Sequence, residues 1–304
     1  MHVINTRDNK IKMLVRNSEG KREAKDIDDF YPYFYVPETD VVPTDYKIIG
    51  SESGFTSIFG DKLRKINLRT PFANDLHSRF AKTFEADVRL ADRFLIDNPS
   101  LFEQYRDEKI RFLIIDTEED SLDEFPKPEE AKKPITCMTA YDNFLDKYIV
   151  FVWREDLEDY KIDRREKYTI HFFNNERNML LKFIEFVRAV NPDLITGWNV
   201  LKFDCQYLIN RMAVLSIDYN KLSQVSRVRL DNKFNHVFIT IAGMTIIDAQ
   251  EQYEKMQNLV YNWSIFGLES MSLDSVAKAE FGEGKAEHEN PGKMWREDLE
   301  KLIY

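Results

Sequence analysis

Apolar positions in the first hundred residues fall in short alternating runs. Residues 2–16 alternate enough to predict a strand, residues 17–20 predict a turn, and the aromatic segment Tyr31–Pro37 predicts a strand bounded by prolines. The charged stretch 97–108 then predicts a junction. We therefore expect a smaller β-rich or α+β domain over residues 1–105 and a second domain over residues 106–304.

From residue 106 onward, strand-like runs alternate with helical spacing. Apolar runs at 112–115, 135–141 and 148–153 predict a three-stranded meander, and apolar residues spaced by three and four behind Asn174 and Asn175 predict a helix. The remaining predicted elements are a strand at 193–198, a helix at 203–214, a β-hairpin at 226–241 turning at 231–233, and helices at 248–256 and 273–281. This order predicts an α/β domain with a mixed sheet.

The apolar run before Asp116 ends at two carboxylates, Asp116 and Glu118. Side chains alternate along a strand, so the two should share a face at the strand's end. Adjacent like charges repel, and hard divalent cations such as Mg²⁺ prefer carboxylate oxygens, so the pair is a candidate metal site. The alternative is that it merely opens the acidic loop that follows.

Composition restricts the class of protein. The chain has 304 residues, 43% of them hydrophobic and 13% aromatic, which is enough for a substantial core. Its two cysteines, Cys137 and Cys205, show no ligand spacing, and neither a secretory leader nor a run of about 20 apolar residues is visible. A soluble protein with reduced thiols is expected. The formal net charge of −10 argues against a generally basic nucleic-acid binder, but it leaves room for a local basic track.

A second group of polar residues lies at a strand-to-helix turn, where Asn199 is followed by Phe203 and Asp204. An aspartate in the first helical turn faces the positive end of the helix dipole, which predicts an ionised Asp204. Helix capping is the alternative role for this residue. The combination of Asp116 and Glu118 with Asp204, roughly 85 residues later, is far less probable by chance than either part alone.

These motifs resemble those of the amino-terminal part of family B DNA polymerases. The segment Asp116-Thr-Glu118 is similar to the first exonuclease motif of the family, and residues 197–204 are similar to the second. Residues 84–97 and 272–282 resemble other segments of the same family. The resemblance implies an amino-terminal domain followed by a ribonuclease-H-like 3′→5′ proofreading exonuclease, acting in DNA replication.

The resemblance also implies the chemistry of the site. Asp116, Glu118 and Asp204 would be ligands or organisers of two Mg²⁺ or Mn²⁺ ions that assist in-line attack on the terminal phosphodiester. The third motif of the family is a tyrosine followed four residues later by an aspartate, and the sequence stops at Tyr304. Tyr304 is a candidate for that tyrosine. We expect a fragment of a longer or split polymerase that by itself cleaves DNA poorly.

Several residues are candidate DNA contacts. Phe203 is a candidate stacking residue and Asn199 a candidate polar contact for a frayed 3′ end, and core packing is the alternative for Phe203. The hairpin matches the position of a strand-separating hairpin in the family and carries Arg227, Arg229 and Lys233, although it could equally be a solvated edge. The candidates for a template-base pocket similar to the uracil-inspecting site of archaeal members are Pro32, Tyr33 and Arg93.

The expected partners follow from this interpretation. They are single-stranded 3′ ends or primer-template DNA, the palm, fingers and thumb of a polymerase on the same or another chain, and a sliding clamp as a further candidate, with no membrane. The expected location is the cytoplasm or a viral or host nucleoid. The alternative function is a non-catalytic DNA-binding or assembly fragment of a split polymerase, and a stand-alone nuclease is disfavoured by the long amino-terminal domain.

Overall fold

The computed structural model describes residues 1–6, 10–17, 19–71, 74–233, 236–259, 270–284 and 290–303. The chain divides into two compact units, Met1–Lys109 and Ile110–Tyr304. The sequence placed its domain boundary a few residues earlier, between residues 105 and 106.

The first unit contains two small antiparallel sheets and short helices. Its elements are β1 (His2–Asn5), β2 (Ile11–Arg16), β3 (Arg22–Ile27), β4 (Tyr33–Pro37), β5 (Ile48–Thr56), β6 (Lys62–Leu68), α1 (Asn74–His77), α2 (Leu90–Asp97) and α3 (Ser100–Gln104). One sheet has the order β1-β2-β3 and the other the order β4-β6-β5. Phe34 and Ile66 are fully buried in the core beneath the second sheet. The β-rich character predicted for this part of the chain is therefore present.

The second unit is built on a seven-stranded mixed sheet. Its elements are β7 (Phe112–Glu119), β8 (Ile135–Asp142), β9 (Lys147–Trp153), β10 (Lys161–Arg164), β11 (Tyr168–Phe173), α4 (Glu176–Val190), β12 (Leu194–Gly197), α5 (Asp204–Val214), β13 (Val228–Lys233), β14 (His236–Ile241), β15 (Thr245–Asp248), α6 (Ala249–Leu259), α7 (Leu273–Phe281), α8 (Pro291–Glu297) and α9 (Leu299–Ile303). The sheet order is β10-β11-β9-β8-β7-β12-β15, and β13 and β14 form a separate hairpin.

Strands β7, β8 and β9 form the predicted antiparallel meander, and β12 joins β7 and β15 in parallel. Helices α4 and α5 pack on one face of this sheet, with Phe183 and Tyr207 almost fully buried in the shared core. Apolar residues of α9 contact Val150 and Ile170 of the opposite face. The α/β fold with a mixed sheet is thus confirmed, and it is consistent with a ribonuclease-H-like exonuclease.

The caps of α4 follow the sequence signals. Asn175 is the N-cap, and its side chain accepts a hydrogen bond from the N–H of Asn178 at 2.8 Å. Asn191 ends the helix in the left-handed conformation with φ 46°. Asparagine tolerates this region better than most residues, and Pro192 cannot continue the helix. Local chemistry therefore sets both ends of α4.

Two local predictions are wrong, and two short helices were missed. The segment 2–16 forms two antiparallel strands, β1 and β2, because each needs a partner edge for its backbone hydrogen bonds. Residues 231–233 belong to β13, where Asp231 pairs with Phe238, so the hairpin turns later than predicted. Helices α8 and α9 were not anticipated, because their charged sequence hides the short apolar series formed by Leu299, Leu302 and Ile303.

Candidate active site

The end of β7 presents carboxylates on both of its faces. Asp116 is exposed and Glu118 is half-buried, whereas Thr117 and Glu119 between and beyond them are buried. This alternation confirms that Asp116 and Glu118 lie on the same face of the strand. Both pair with β8, Asp116 opposite Thr139 and Glu118 opposite Cys137.

Asp204 is the first residue of α5 and is only 4% exposed. Its Oδ1 atom accepts hydrogen bonds from the backbone N–H and from Oγ1 of Thr117, both at 2.9 Å. Burial and then the nearby charge of Asp116 raise the pKa of Asp204 to about 7. Burial thus opposes the ionisation of Asp204 that the helix dipole was predicted to favour.

The turn between β12 and α5 brings Asp204 to β7. Gly197 lies so close to β7 that a Cβ atom there would be 2.6 Å from the carbonyl oxygen of Ile115. Asn199 adopts the left-handed conformation with φ 59°. Its backbone N–H donates to Oδ1 of Asp248 at 3.1 Å, and that of Leu201 donates to Oδ2 at 3.0 Å. A glycine and a buried carboxylate thus set the geometry of this turn.

Glu119 is the least expected member of the site. It is 4% exposed, and its Oε1 atom has no hydrogen-bond partner. Burial raises the pKa of Glu119 to about 8, and the charges of Asp204, Glu118 and Asp116 add to this effect. Sequence reasoning treated Glu119 as part of an acidic loop, whereas continued strand alternation places it on the buried face of Leu113, Ile115 and Thr117.

An open cavity of about 600 Å³ joins these elements. Asp116, Glu118, Asp204, Asn199 and Phe203 all line it, so the structure brings together five of the residues selected from sequence. The cavity is also lined by Phe125 and Trp198, which sequence reasoning did not select. Phe125 is 75% exposed, and its ring centroid is 6.0 Å from that of Phe203. Three aromatic residues therefore line the cavity together with the carboxylates.

The carboxylate oxygens of this site are the type of ligand that a hard divalent cation prefers. Asp116, Glu118 and Asp204 face one cavity, and the charge of Asp116 contributes to the raised pKa of Asp204, a repulsion that a bound cation would relieve. Within the described residues, no three His, Cys, Asp or Glu side chains are already grouped in the arrangement of a metal site. One or more of the carboxylates would have to reorient on binding an ion.

Helix α8 borders the same cavity. Arg296 forms a two-pronged ion pair with Asp120, with Nη1–Oδ1 and Nη2–Oδ2 distances of 2.8 and 2.5 Å. This guanidinium holds the pKa of Asp120 below its usual value. Asn290, the N-cap of α8, donates through Nδ2 to Ser121, and both it and Pro291 line the cavity. The side chain of Tyr304, proposed from sequence for the third motif, lies outside the described residues.

The hairpin residues are not among those that line this cavity. Arg229 is paired with Asp231 at 2.5 Å, and the described part of Lys233 is limited to its backbone pairing with His236. Arg227 accepts a backbone hydrogen bond from Ala242 at 2.9 Å. Val228 and Ile241 pack into the main core, so one face of the hairpin is buried rather than solvated on both sides.

The residues suggested for a template-base pocket lie in the first unit. The guanidinium carbon of Arg93 and the Nζ of Lys65 are 4.3 and 4.1 Å from the centroid of the Tyr33 ring. Tyr33 donates its hydroxyl to Asp97, and Arg93 is 3% exposed and paired with Glu85. A cavity of about 330 Å³ is lined by Tyr33 and Lys65, while Pro32 and Arg93 are not part of its lining.

Comparison with known proteins decides the family. The family model described as "DNA polymerase family B, exonuclease domain" matches residues 97–261, more than half of the chain. The chain belongs to the family B DNA polymerases. Exonuclease domains of this family use divalent metal ions, which agrees with the chemistry of the carboxylates described above.

Relatives come from phages, archaea and plants. The DNA-directed DNA polymerase of Escherichia phage RB69 is 28% identical over 69% of this family B chain and 25% of its own length. The DNA polymerase of Pyrococcus glycovorans is 27% identical over 69% of the chain and 24% of its own length. The DNA polymerase delta catalytic subunit of Arabidopsis thaliana is 37% identical over 34% of the chain and 10% of its own length. The chain therefore spans about a quarter of the length of the phage and archaeal relatives. Among the described residues, no helix has the length and apolarity needed to cross a membrane.

Proposed function

We propose that this chain is the part of a family B DNA polymerase that removes mismatched nucleotides from the 3′ end of a primer. The observation that carries the proposal is the meeting of Asp116, Glu118 and Asp204 in one cavity that three aromatic residues also line. The family membership supports it as well. Residues 1–105 would then correspond to the amino-terminal domain of such a polymerase, with residues 106–304 forming the exonuclease.

The substrate would be a single-stranded 3′ end. Phe125 and Phe203 offer ring faces on which terminal bases can stack, and base stacking on aromatic residues tolerates any sequence. Asn199 and Asn290 line the same cavity and offer amide groups for the sugar and phosphate. A cavity of about 600 Å³ accommodates a nucleotide but not a duplex. These features favour an unpaired end over paired DNA.

The carboxylates Asp116, Glu118 and Asp204 would hold two divalent cations, Mg²⁺ or Mn²⁺. Bound cations would supply a nucleophilic water at neutral pH and stabilise the charge that develops on the leaving oxygen. Thr117 would keep one oxygen of Asp204 fixed through its two hydrogen bonds, leaving Oδ2 of that residue for an ion. Glu119 lines the same cavity, and because burial raises its pKa to about 8 it would be held as the neutral acid below that pH.

The hairpin formed by β13 and β14 would separate the primer from the template. Its buried face anchors it to the core through Val228 and Ile241, so its far end can act as a wedge. Arg227, Arg229 and Lys233 would provide cations for a DNA backbone. In the first unit, Tyr33 would line a site for an unpaired template base, with Arg93 supporting its ring and Pro32 preceding it in the chain. A replication clamp and the polymerase palm would be further partners.

The test is digestion of a single-stranded oligonucleotide that carries a label at its 5′ end. In Mn²⁺ or Mg²⁺ we expect slow digestion, in keeping with the weak cleavage expected from the sequence, with products shortened one nucleotide at a time, and a phosphorothioate at the 3′ terminus should slow their appearance further. Asp116→Ala should abolish digestion, whereas Glu185→Gln, an exposed change on α4, should not alter it. Binding of the oligonucleotide without any digestion would instead support the non-catalytic assembly function. Internal cleavage would contradict both functions.

The hairpin has its own test. Removal of residues 230–235 should impair digestion of a duplex with a mismatched end more than digestion of a single strand. An equal loss on both substrates would contradict the wedge role. For the template-base site, tighter binding to a template that contains uracil than to its thymine counterpart is the expected result, and equal affinity would discard this site.

A further inference from the structure

Asp248 accepts hydrogen bonds from four backbone N–H groups in two separate segments. Oδ1 accepts from Asn199, Gln250 and Glu251 at 3.1, 3.0 and 3.4 Å, and Oδ2 accepts from Leu201 at 3.0 Å. The side chain is 1% exposed. Two of these bonds cap α6, which is an ordinary role for an aspartate. The other two reach a turn nearly fifty residues earlier in the sequence.

That turn is the one that carries the candidate substrate contacts. It connects β12 with α5, and Trp198, Asn199 and Phe203 within it line the site cavity, with Asp204 directly following. Asn199 is in the left-handed region, a conformation that needs support from its surroundings in a residue other than glycine. Backbone N–H groups that converge around such a residue form an anion-binding concavity. Here the anion is the side chain of Asp248.

Further contacts tie α6 to the same turn. Lys202 and Glu251 form an ion pair at 3.7 Å, and the ring centroids of Trp198 and Tyr253 are 6.0 Å apart. Gly197 and Asp248 face each other in the parallel pairing of β12 with β15. One buried carboxylate, that of Asp248, thus joins the end of β15, the start of α6 and the turn. An asparagine there would keep one acceptor oxygen and replace the other with an NH2 donor, so at least one of these N–H groups would lose its acceptor.

We propose that Asp248 is a positioning residue of the exonuclease, because its carboxylate fixes the turn at residues 199–201 and thereby the direction of Asn199, Phe203 and Asp204 toward the cavity. The inference deepens the proposed function and rests on it. Asp248 itself does not line the cavity, so it acts through the backbone of the turn and not through contact with DNA.

The test compares Asp248→Asn with Asp193→Asn in the full chain. Asp193 is a matched control because it is also buried, at 8% exposed, and accepts a backbone N–H, that of Arg111 at 2.9 Å, at the other end of β12. Three quantities are measured: hydrogen exchange of peptides covering residues 198–204, affinity for a fluorescent oligothymidine in EDTA, and digestion of the same oligonucleotide in Mn²⁺. Thermal midpoints report general stability.

We expect Asp248→Asn to speed hydrogen exchange in residues 198–204 and to weaken oligonucleotide binding several-fold. It should also lower kcat/KM by about 10- to 100-fold, which is the usual loss for a residue that orients metal ligands without binding the metal itself. Asp193→Asn should change the thermal midpoint alone. Equal behaviour of the two variants in exchange and in binding would overturn the proposal.

Two further results keep the outcome clear. Should Asp248→Asn not fold, the unmodified chain decides the matter: the amides of Asn199 and Leu201 should exchange at least 10-fold more slowly than the amide of Ile58, which is 94% exposed, and equally fast exchange overturns the inference. If the unmodified chain neither binds nor digests the oligonucleotide, the proposed function fails, while the exchange data still report whether Asp248 fixes the turn.

Discussion

Thr117 donates two hydrogen bonds to a single oxygen of Asp204, one from its backbone N–H and one from Oγ1, each 2.9 Å long. The two residues are 87 positions apart in sequence and both are buried. The middle residue of the Asp-Thr-Glu motif therefore links the strand of the first motif to the helix of the second. This link places the third carboxylate beside the other two.

Thr117→Val keeps the shape of the side chain and removes only the hydroxyl. Because the lost hydrogen bond goes to a carboxylate, we expect the free energy of unfolding to fall by about 1.5–3 kcal/mol. Digestion of single-stranded DNA should slow by roughly 10-fold or more. Chemical denaturation and the digestion rate measure the two effects. Thr117→Ser retains the hydroxyl and is the control; a valine variant as stable and active as the serine variant would contradict the assigned link.

Glu119→Gln should change how stability depends on pH. The pKa of Glu119 is raised from 4.5 to about 8, so the folded chain holds a proton that the unfolded chain releases, and stability falls as pH rises from about 4.5 to 8. The raised pKa of Asp204, about 7, adds to this fall between roughly pH 4 and 7. The glutamine variant should be more stable than the unmodified chain at pH 8 in EDTA, by more than about 1.4 kcal/mol.

Thermal midpoints between pH 5 and 8.5 test this prediction. Glu124→Gln, a change at an exposed position in the following loop, should leave the pH dependence as it is. Parallel curves for Glu119→Gln and the unmodified chain would show that Glu119 does not carry the proton. Added Mn²⁺ should reduce the difference between the two proteins, since a cation offsets the same repulsion.

Phe125→Ala should weaken binding of single-stranded DNA without affecting the fold. Phe125 is 75% exposed, so its removal should change stability by less than about 0.5 kcal/mol. Loss of one stacking surface should lower affinity by roughly 10-fold. Fluorescence anisotropy with a labelled oligothymidine measures the effect. Phe281→Ala is the control, because Phe281 is 82% exposed but does not line the cavity. Similar losses from both changes would rule out a specific role for Phe125.

Arg211→Met should be one of the most destabilising single changes in the second unit. Arg211 donates to both oxygens of Glu176 at 2.8 and 2.6 Å and to two backbone carbonyls, and both side chains of the pair are at most 10% exposed. Its loss leaves a buried charge unpaired, which costs about 3–5 kcal/mol. Arg165→Met breaks an exposed pair with Asp163 and should cost less than about 1 kcal/mol in the same denaturation experiment.

Local patterns in the sequence identified most of the elements and the central residues of the site. Strand periodicity predicts a shared face for Asp116 and Glu118, and helical spacing places Asp204 in the first turn of α5. Both relationships depend on a few neighbouring residues, so the sequence alone is sufficient. The meander, the α4 cap at Asn175 and the mixed α/β order were accessible for the same reason.

Other features depend on residues that are distant in sequence. The extent of β13 through Lys233 follows from its pairing with β14, and the buried state of Glu119 follows from the packing of α5 against β7. The aromatic pair Phe125 and Phe203 is made by a loop and a turn that meet only in the folded chain. The spacing of apolar residues along the chain carries no information about contacts between distant segments.

The sequence by itself identified the candidate carboxylates: two at the end of one strand and a third at the start of a helix. The tertiary structure alone decided the surroundings of the third carboxylate. Asp204 was predicted to be ionised from the helix dipole, but burial against β7 and the charge of Asp116 raise its pKa to about 7. The reason is that a dipole is a local property of a helix, whereas desolvation and charge repulsion depend on what the rest of the chain brings to the same place.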